Sequence, residues 1–146
     1  MTKYLIFLTL LLGMAPPRQG VSGEVTVAAA ADLRYAMDLL AANFRRANPG
    51  CRVTVIYGSS GKFFHQIVNG GPFDLFFSAD EAYPRQLQAQ KITVGEVTPY
   101  ATGRLVLWSR TLDPSAGLRA LLGPSVRKIA IANPDHAPYG KRAVEC

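Results

Sequence analysis

The sequence has little of what several protein classes require. Its only cysteines are Cys51 and Cys146, which is too few for a disulfide scaffold, and their spacing fits no metal-binding motif. It has no apolar run of 18 residues, so no transmembrane helix is predicted. The formal net charge is +6. The basic residues are scattered rather than clustered, however, which argues against a nucleic-acid-binding arm.

The N-terminus has the pattern of a secretory signal peptide. Lys3 precedes an apolar run over residues 4–15, which would rise only about 18 Å as a helix and could not cross a hydrocarbon core about 30 Å thick. Prolines then interrupt the run, and small residues precede Glu24. We therefore expect residues 1–23 to be removed and the mature protein to be exported to the periplasm. A short uncleaved anchor is the alternative.

Short apolar segments alternate with amphipathic segments from residue 25 onward. Residues 25–30, 52–57 and 73–78 have the composition of buried strands. Helical segments follow each of them, with Asp32 and Asp80 as expected N-caps of the first and third helices. Four apolar side chains of the first helix fall on one face: Leu33, Met37, Leu40 and Phe44. This order predicts an α/β fold with a mostly parallel sheet and flanking helices.

The pattern becomes less regular after Gly95. Residues 104–108 and 128–132 are β-branched or apolar and predict two further strands. Residues 116–122 predict a short helix, and Lys141 is expected to open another, within which the sequence ends.

Three strand-to-helix turns made of small residues are candidates for a binding site. They are residues 30–32, 58–61 and 136–140, and such turns lie where ligands bind in open parallel sheets. Helix N-termini carry free N–H groups and a partial positive charge, which suit an anion. Ser59 and Ser60 would add hydroxyl donors. The alternative is that residues 58–61 form only a capped turn, because serine and glycine are common in turns.

No catalytic motif accompanies these turns. Residues 58–62 lack the glycine spacing of a phosphate-binding loop. No G-x-S-x-G elbow is present, and His65 is expected to lie solvated on the helix that follows Ser60, not opposite that serine. We therefore predict that the protein is not an enzyme.

Three segments of the sequence strongly resemble periplasmic molybdate-binding proteins of ABC importers. They are VAAAADLRYAMDLL, VIYGSSGKFFHQIVNGGPFDLFFSADEAYPRQL and IANPDHAPYGKRAVE, and the resemblance runs through residues 25–146. It implies a fold like that of type II periplasmic binding proteins, in which two lobes hold a tetrahedral oxyanion between them. Residues 24–100 would form the first lobe, still incomplete, and residues 101–146 the start of the second.

The resemblance also implies where the oxyanion is held. The first contact matches Asp32, with Ala31 before it; the second matches Ser60, with Ser59 beside it; and the third is the backbone N–H of Tyr139. Asp32 replaces the hydroxyl or amide donor that is usual there, and an ionised carboxylate cannot donate a hydrogen bond. We therefore expect its side chain to turn away and cap the helix while backbone N–H groups bind; reduced affinity is the alternative.

The ligand implied by the resemblance is molybdate or tungstate, with no cofactor and no metal other than that of the ligand itself. The implied partner is the membrane permease of an ABC importer, and a monomer is expected. Sulfate, which shares the shape and charge of molybdate, is an alternative ligand. Because chains of this family continue well beyond position 146, a non-functional truncated remnant is the alternative to a working binding protein.

Overall fold

A parallel sheet forms the centre of the computed structural model, which describes residues 22–146. The strands are β1 (Gly23–Ala30), β2 (Cys51–Gly58) and β3 (Leu75–Phe77), in the order β2-β1-β3. Both pairings are parallel, and β1 and β2 stay in register over all eight residues. The three predicted strands, and the mostly parallel sheet with flanking helices, are confirmed.

Helices connect these strands and begin beyond their carboxyl ends. A 3-10 helix (Ala31–Leu33) and α1 (Arg34–Ala47) lead to β2, α2 (Ser60–Val68) leads to β3, and α3 (Ala82–Ala89) follows β3. The connection through α1 places β2 on one side of β1, and the connection through α2 places β3 on the other side. The connections therefore diverge at the carboxyl ends of β1 and β3, and the crevice at such a switch point is the favoured ligand position in open α/β sheets.

The burial of β1 in the core explains why polar and apolar residues do not alternate along this strand. β1 is the central strand, and its last four residues, from Val27 to Ala30, are all buried because helices cover both faces. Met37 of α1 packs against one face with Val27 and Ala29. Phe63 of α2 belongs to a separate group of aromatic rings, with centroids 5.4 Å from Phe73 and 6.4 Å from Phe76.

The part of the chain after α3 contains no strand among the described residues. Residues 104–108 and 128–132 have no strand pairing, so the prediction of two further strands is wrong. The predicted helix at 116–122 is a 3-10 segment (Pro114–Leu122) broken at Gly117, where φ is +61°. The last helix, α4 (Pro138–Glu145), begins three residues earlier than predicted, because proline is well suited to the first helical position.

The signal peptide predicted over residues 1–23 falls almost wholly outside the described residues. Gly23, the last residue expected to be removed, is the first residue of β1. Within residues 22–146, the helices are too short or too polar to cross a membrane.

Candidate functional site: two helix N-termini at the edge of the sheet

The α2 N-terminus carries a serine whose hydroxyl is left without a partner. Ser59 occupies the N-cap position in an extended conformation, but its side chain makes no capping hydrogen bond. Its Oγ is buried and has no hydrogen-bond partner within residues 22–146. A buried hydroxyl without a partner costs free energy. An acceptor placed at this helix N-terminus would remove that cost.

Ser60, the neighbouring serine, has a structural contact. It is fully buried, and its Oγ accepts a hydrogen bond from the Ala79 N–H at 2.9 Å. This contact fixes the start of α2 to the segment that follows β3. The hydroxyl proton of Ser60 is still available for donation, because the oxygen acts only as the acceptor in this bond.

The turn before α4 meets the start of α2 through the backbone. The Gly61 N–H donates to the His136 carbonyl oxygen at 3.1 Å. A Cβ on Gly61 would lie 2.9 Å from the same oxygen, so glycine allows this approach. Pro138 opens α4 and has no N–H, which makes the N–H of Tyr139 the first backbone donor of that helix. The donor ends of α2 and α4 are thereby brought together.

Asp32 does not cap a helix, so that prediction is wrong. Neither the 3-10 helix nor α1 has a side-chain capping bond, because the 3-10 turn comes first and places Leu33 at the N-cap of α1. Ala31 and Asp32 are both exposed. Asp32 instead lines a cavity together with Tyr100 and Tyr139.

The negative charge of Asp32 contributes, after burial, to a raised pKa in both tyrosines. Burial and then the negative charge of Asp32 raise the pKa of Tyr100, and its hydroxyl donates to the Ser78 carbonyl oxygen at 2.7 Å. Burial, and then the negative charge of Asp32, raise the pKa of Tyr139. Asp32 and Tyr139 are 107 positions apart in the sequence, and both line the same cavity.

A cavity of about 720 Å³ opens beside these residues, between the turn that follows β1, the segment around β3 and residues 92–103. Asp32 and Tyr139 line it, whereas Ser59 and Ser60 do not. Its wall contains no lysine or arginine but four acidic residues: Asp32, Asp74, Glu81 and Glu96. Because like charges repel, the interior of this cavity is a poor anion site. The backbone donors of the two helix turns are the better candidates.

The structure brings the predicted site residues together in two places. Asp32 and Tyr139 line one cavity, and the turn that contains Ser59 and Ser60 meets the segment before Tyr139 through the backbone. Sequence reasoning missed Ser78 and Tyr100. Ser78 follows β3 directly, so the rule that pointed to the ends of the other strands would have found it; nothing local in the sequence marks Tyr100. His65 is exposed on α2, as predicted. In the described part of the chain, His, Cys, Asp and Glu side chains form no group that could hold a metal ion.

Comparison with known proteins assigns the fold to a family. The family model for bacterial extracellular solute-binding proteins matches residues 25–146. The chain belongs to this family. Among curated members, a molybdate-binding protein ModA of Rhodobacter capsulatus is 37% identical over 139 residues, covering 94% of this chain and 54% of the relative. The ModA of Azotobacter vinelandii is 39% identical over 126 residues, covering 85% and 50%.

A solved structure supports the same assignment. The Azotobacter vinelandii periplasmic molybdate-binding protein superposes with a TM-score of 0.75 at 39% identity, over 83% of this chain and 53% of that one. The predicted resemblance and the periplasmic-binding-protein fold are therefore confirmed. The chain spans about half the length of the curated relatives it matches.

Proposed function

We propose that this protein binds a tetrahedral oxyanion, molybdate or tungstate, outside the cytoplasm and delivers it to the permease of an ABC importer. The observation that carries the proposal is the unpartnered, buried Oγ of Ser59 at the N-terminus of α2. Curated relatives that are 37% and 39% identical to the chain are named for molybdate binding. The protein would work as a monomer in the periplasm, after removal of residues 1–23.

The electrostatics of the two turns support an anionic ligand. Each helix N-terminus carries roughly half a positive charge and unpaired N–H groups. Two such ends meet at the contact between Gly61 and His136. Neutral donors suffice to hold a dianion in this field, so no lysine or arginine is required at the site.

The proposed contacts come from both parts of the chain. Ser59 and Ser60 would donate from residues 24–100, assigned to the first lobe. The backbone N–H of Tyr139 would donate from residues 101–146, assigned to the second. The backbone around Ala31 and Asp32 would complete the site at the end of β1.

Isothermal titration of the full chain with molybdate, tungstate, sulfate and phosphate tests the proposal. We expect molybdate and tungstate to bind at least tenfold more tightly than sulfate, because the curated relatives of the chain include proteins named for molybdate binding. Heat from sulfate alone would reassign the ligand. Absence of heat with all four anions would contradict the proposed function and support the remnant alternative.

A pair of serine variants tests the site itself. Ser59→Ala removes a donor to a charged ligand, which is worth about 1.5–3 kcal/mol of binding. Ser125→Ala is the matched control, because Ser125 is exposed and lies outside the two turns. We expect weakened molybdate binding in the first variant and unchanged binding in the second. Equal affinity in both would mean that Ser59 is only a turn residue.

A further inference from the structure

The segment that follows β3 contacts both of the helices that supply the proposed donors. The Ala79 N–H donates to the Ser60 Oγ at the start of α2, at 2.9 Å. The next residue, Asp80, forms an ion pair with Arg142 of α4, with 3.9 Å between Oδ2 and Nη2. The starts of α2 and α4 are therefore tied to two adjacent residues of one segment.

The two carboxylate oxygens of Asp80 have different partners. Oδ1 accepts a hydrogen bond from the N–H of Ala82, the first residue of α3, at 2.9 Å, whereas Oδ2 faces Arg142. Ser78 fixes the backbone of Asp80, because its Oγ donates to the Asp80 carbonyl oxygen at 2.7 Å and accepts from the Asp80 N–H at 3.2 Å. The contact with α3 uses one oxygen only and leaves the other for α4.

We propose that Asp80 is a positioning residue for oxyanion binding. Its ion pair with Arg142 holds α4 against the segment after β3 and so keeps the backbone N–H of Tyr139 beside the donors of α2. Arg142 follows Tyr139 by three positions, which is about one helical turn, and the two residues line one cavity with Asp80. This inference rests on the proposed function, since it concerns how the same site is ordered.

Arg85 of α3 provides a matched control for Arg142. The side chains of Arg85 and Arg142 are 60% and 58% exposed, and each pairs with a glutamate of its own helix, Glu81 and Glu145 respectively. Among the ion pairs of residues 22–146, only that of Arg142 with Asp80 joins two different elements. Arg85→Gln and Arg142→Gln therefore remove the same charge and the same kind of helical pair, and the difference between them isolates the contact with Asp80.

Molybdate titrations of the full chain test the positioning role. We expect Arg142→Gln to weaken binding about twofold to fivefold more than Arg85→Gln, which is the range of an exposed ion pair. Arg142→Lys keeps the charge and should restore most of the lost affinity. In an Asp80→Asn background, which keeps an oxygen for the Ala82 N–H, the two glutamine variants should have equal effects. Equal effects with Asp80 present would overturn the inference.

Amide hydrogen exchange without ligand separates this inference from the function on which it rests. The Gly61 N–H reports on the position of α4, because its acceptor is the carbonyl oxygen of His136 in the turn before that helix. We expect exchange at Gly61 to be faster in Arg142→Gln than in Arg85→Gln. Equal exchange in the two variants would refute the positioning of α4 by Asp80. Faster exchange in Arg142→Gln, together with a wild type that binds no oxyanion, would refute the proposed function and the role in binding with it.

Discussion

The two halves of this chain use similar residues with different results. Up to α3, apolar segments form three paired strands and a buried core. After α3, segments of comparable composition stay unpaired, and several of their large side chains are exposed, including Trp108 at 75%. Only α4 in this later half has buried residues, Pro138 and Gly140. The turn that leads into α4 meets the start of α2.

The difference shows that a strand is a property of its partners as well as of its sequence. β1 is paired on both edges, so its backbone groups are satisfied and its side chains covered. Residues 104–108 and 128–132 have the residue types of strands, but no neighbouring strand in the described sheet accepts them. β propensity reflects packing against neighbours more than an intrinsic backbone preference.

Two leucine substitutions, one in each half, should show the largest difference in their effect on the free energy of unfolding. Leu87 is completely buried, whereas Leu122 is 85% exposed. Leu87→Ala should lower the free energy of unfolding by about 2–5 kcal/mol through lost burial and a cavity, and Leu122→Ala by less than about 0.5 kcal/mol. Urea denaturation measures both. Similar losses in the two variants would mean that the later half is packed as tightly as the first.

The Ser60 hydroxyl offers a smaller test within the first half. Ser60→Ala leaves the Ala79 N–H without its acceptor, which should cost about 1–3 kcal/mol of stability. The exposed Ser125→Ala should change it by less than about 0.5 kcal/mol. Thermal or urea unfolding without ligand is the measurement. An unchanged free energy of unfolding in Ser60→Ala would show that the hydrogen bond between α2 and the segment after β3 does not contribute to stability.

The same contrast explains what the sequence could and could not predict. The strands up to Phe77 were predictable because each is a compact apolar run followed by a capping or turn signal. The 3-10 turn that displaces Asp32 from its expected capping role has no comparable signal. Asp32 and Tyr139 line one cavity because of the edge of the sheet that α4 reaches, and local patterns do not encode that. The apolar face of α1 was also predictable, but Leu40 is 61% exposed because three strands do not cover the whole face.

The smallest expected effect on the free energy of unfolding comes from Tyr57, near the end of β2. Its hydroxyl donates to Asp38 Oδ1 at 2.5 Å. Burial first, and then this hydrogen bond and the charge of Asp38, raise its pKa from 10.0 to about 12. Since the folded-state pKa lies above the unfolded value, the stabilisation is complete below pH 10 and is lost as the pH rises through 12.

Comparison of the wild type with Tyr57→Phe isolates this contribution. The difference in unfolding free energy between the two proteins should be constant up to about pH 9 and should shrink between pH 10 and 12. Asp38→Asn should lower the pKa of Tyr57, as read from its ¹³Cζ resonance. A difference that does not vary with pH would exclude the coupling between Tyr57 and Asp38.

Hydrogen exchange of the full chain with and without molybdate tests the central claim most directly, because that claim places the ligand where the two halves meet. We predict slower exchange on binding at the first turns of both α2 and α4, including the amides of Ser60 and Tyr139. Residues 104–108 should exchange quickly in both states. Slowing at α2 alone, or at neither turn, would contradict a site shared between the two helix N-termini.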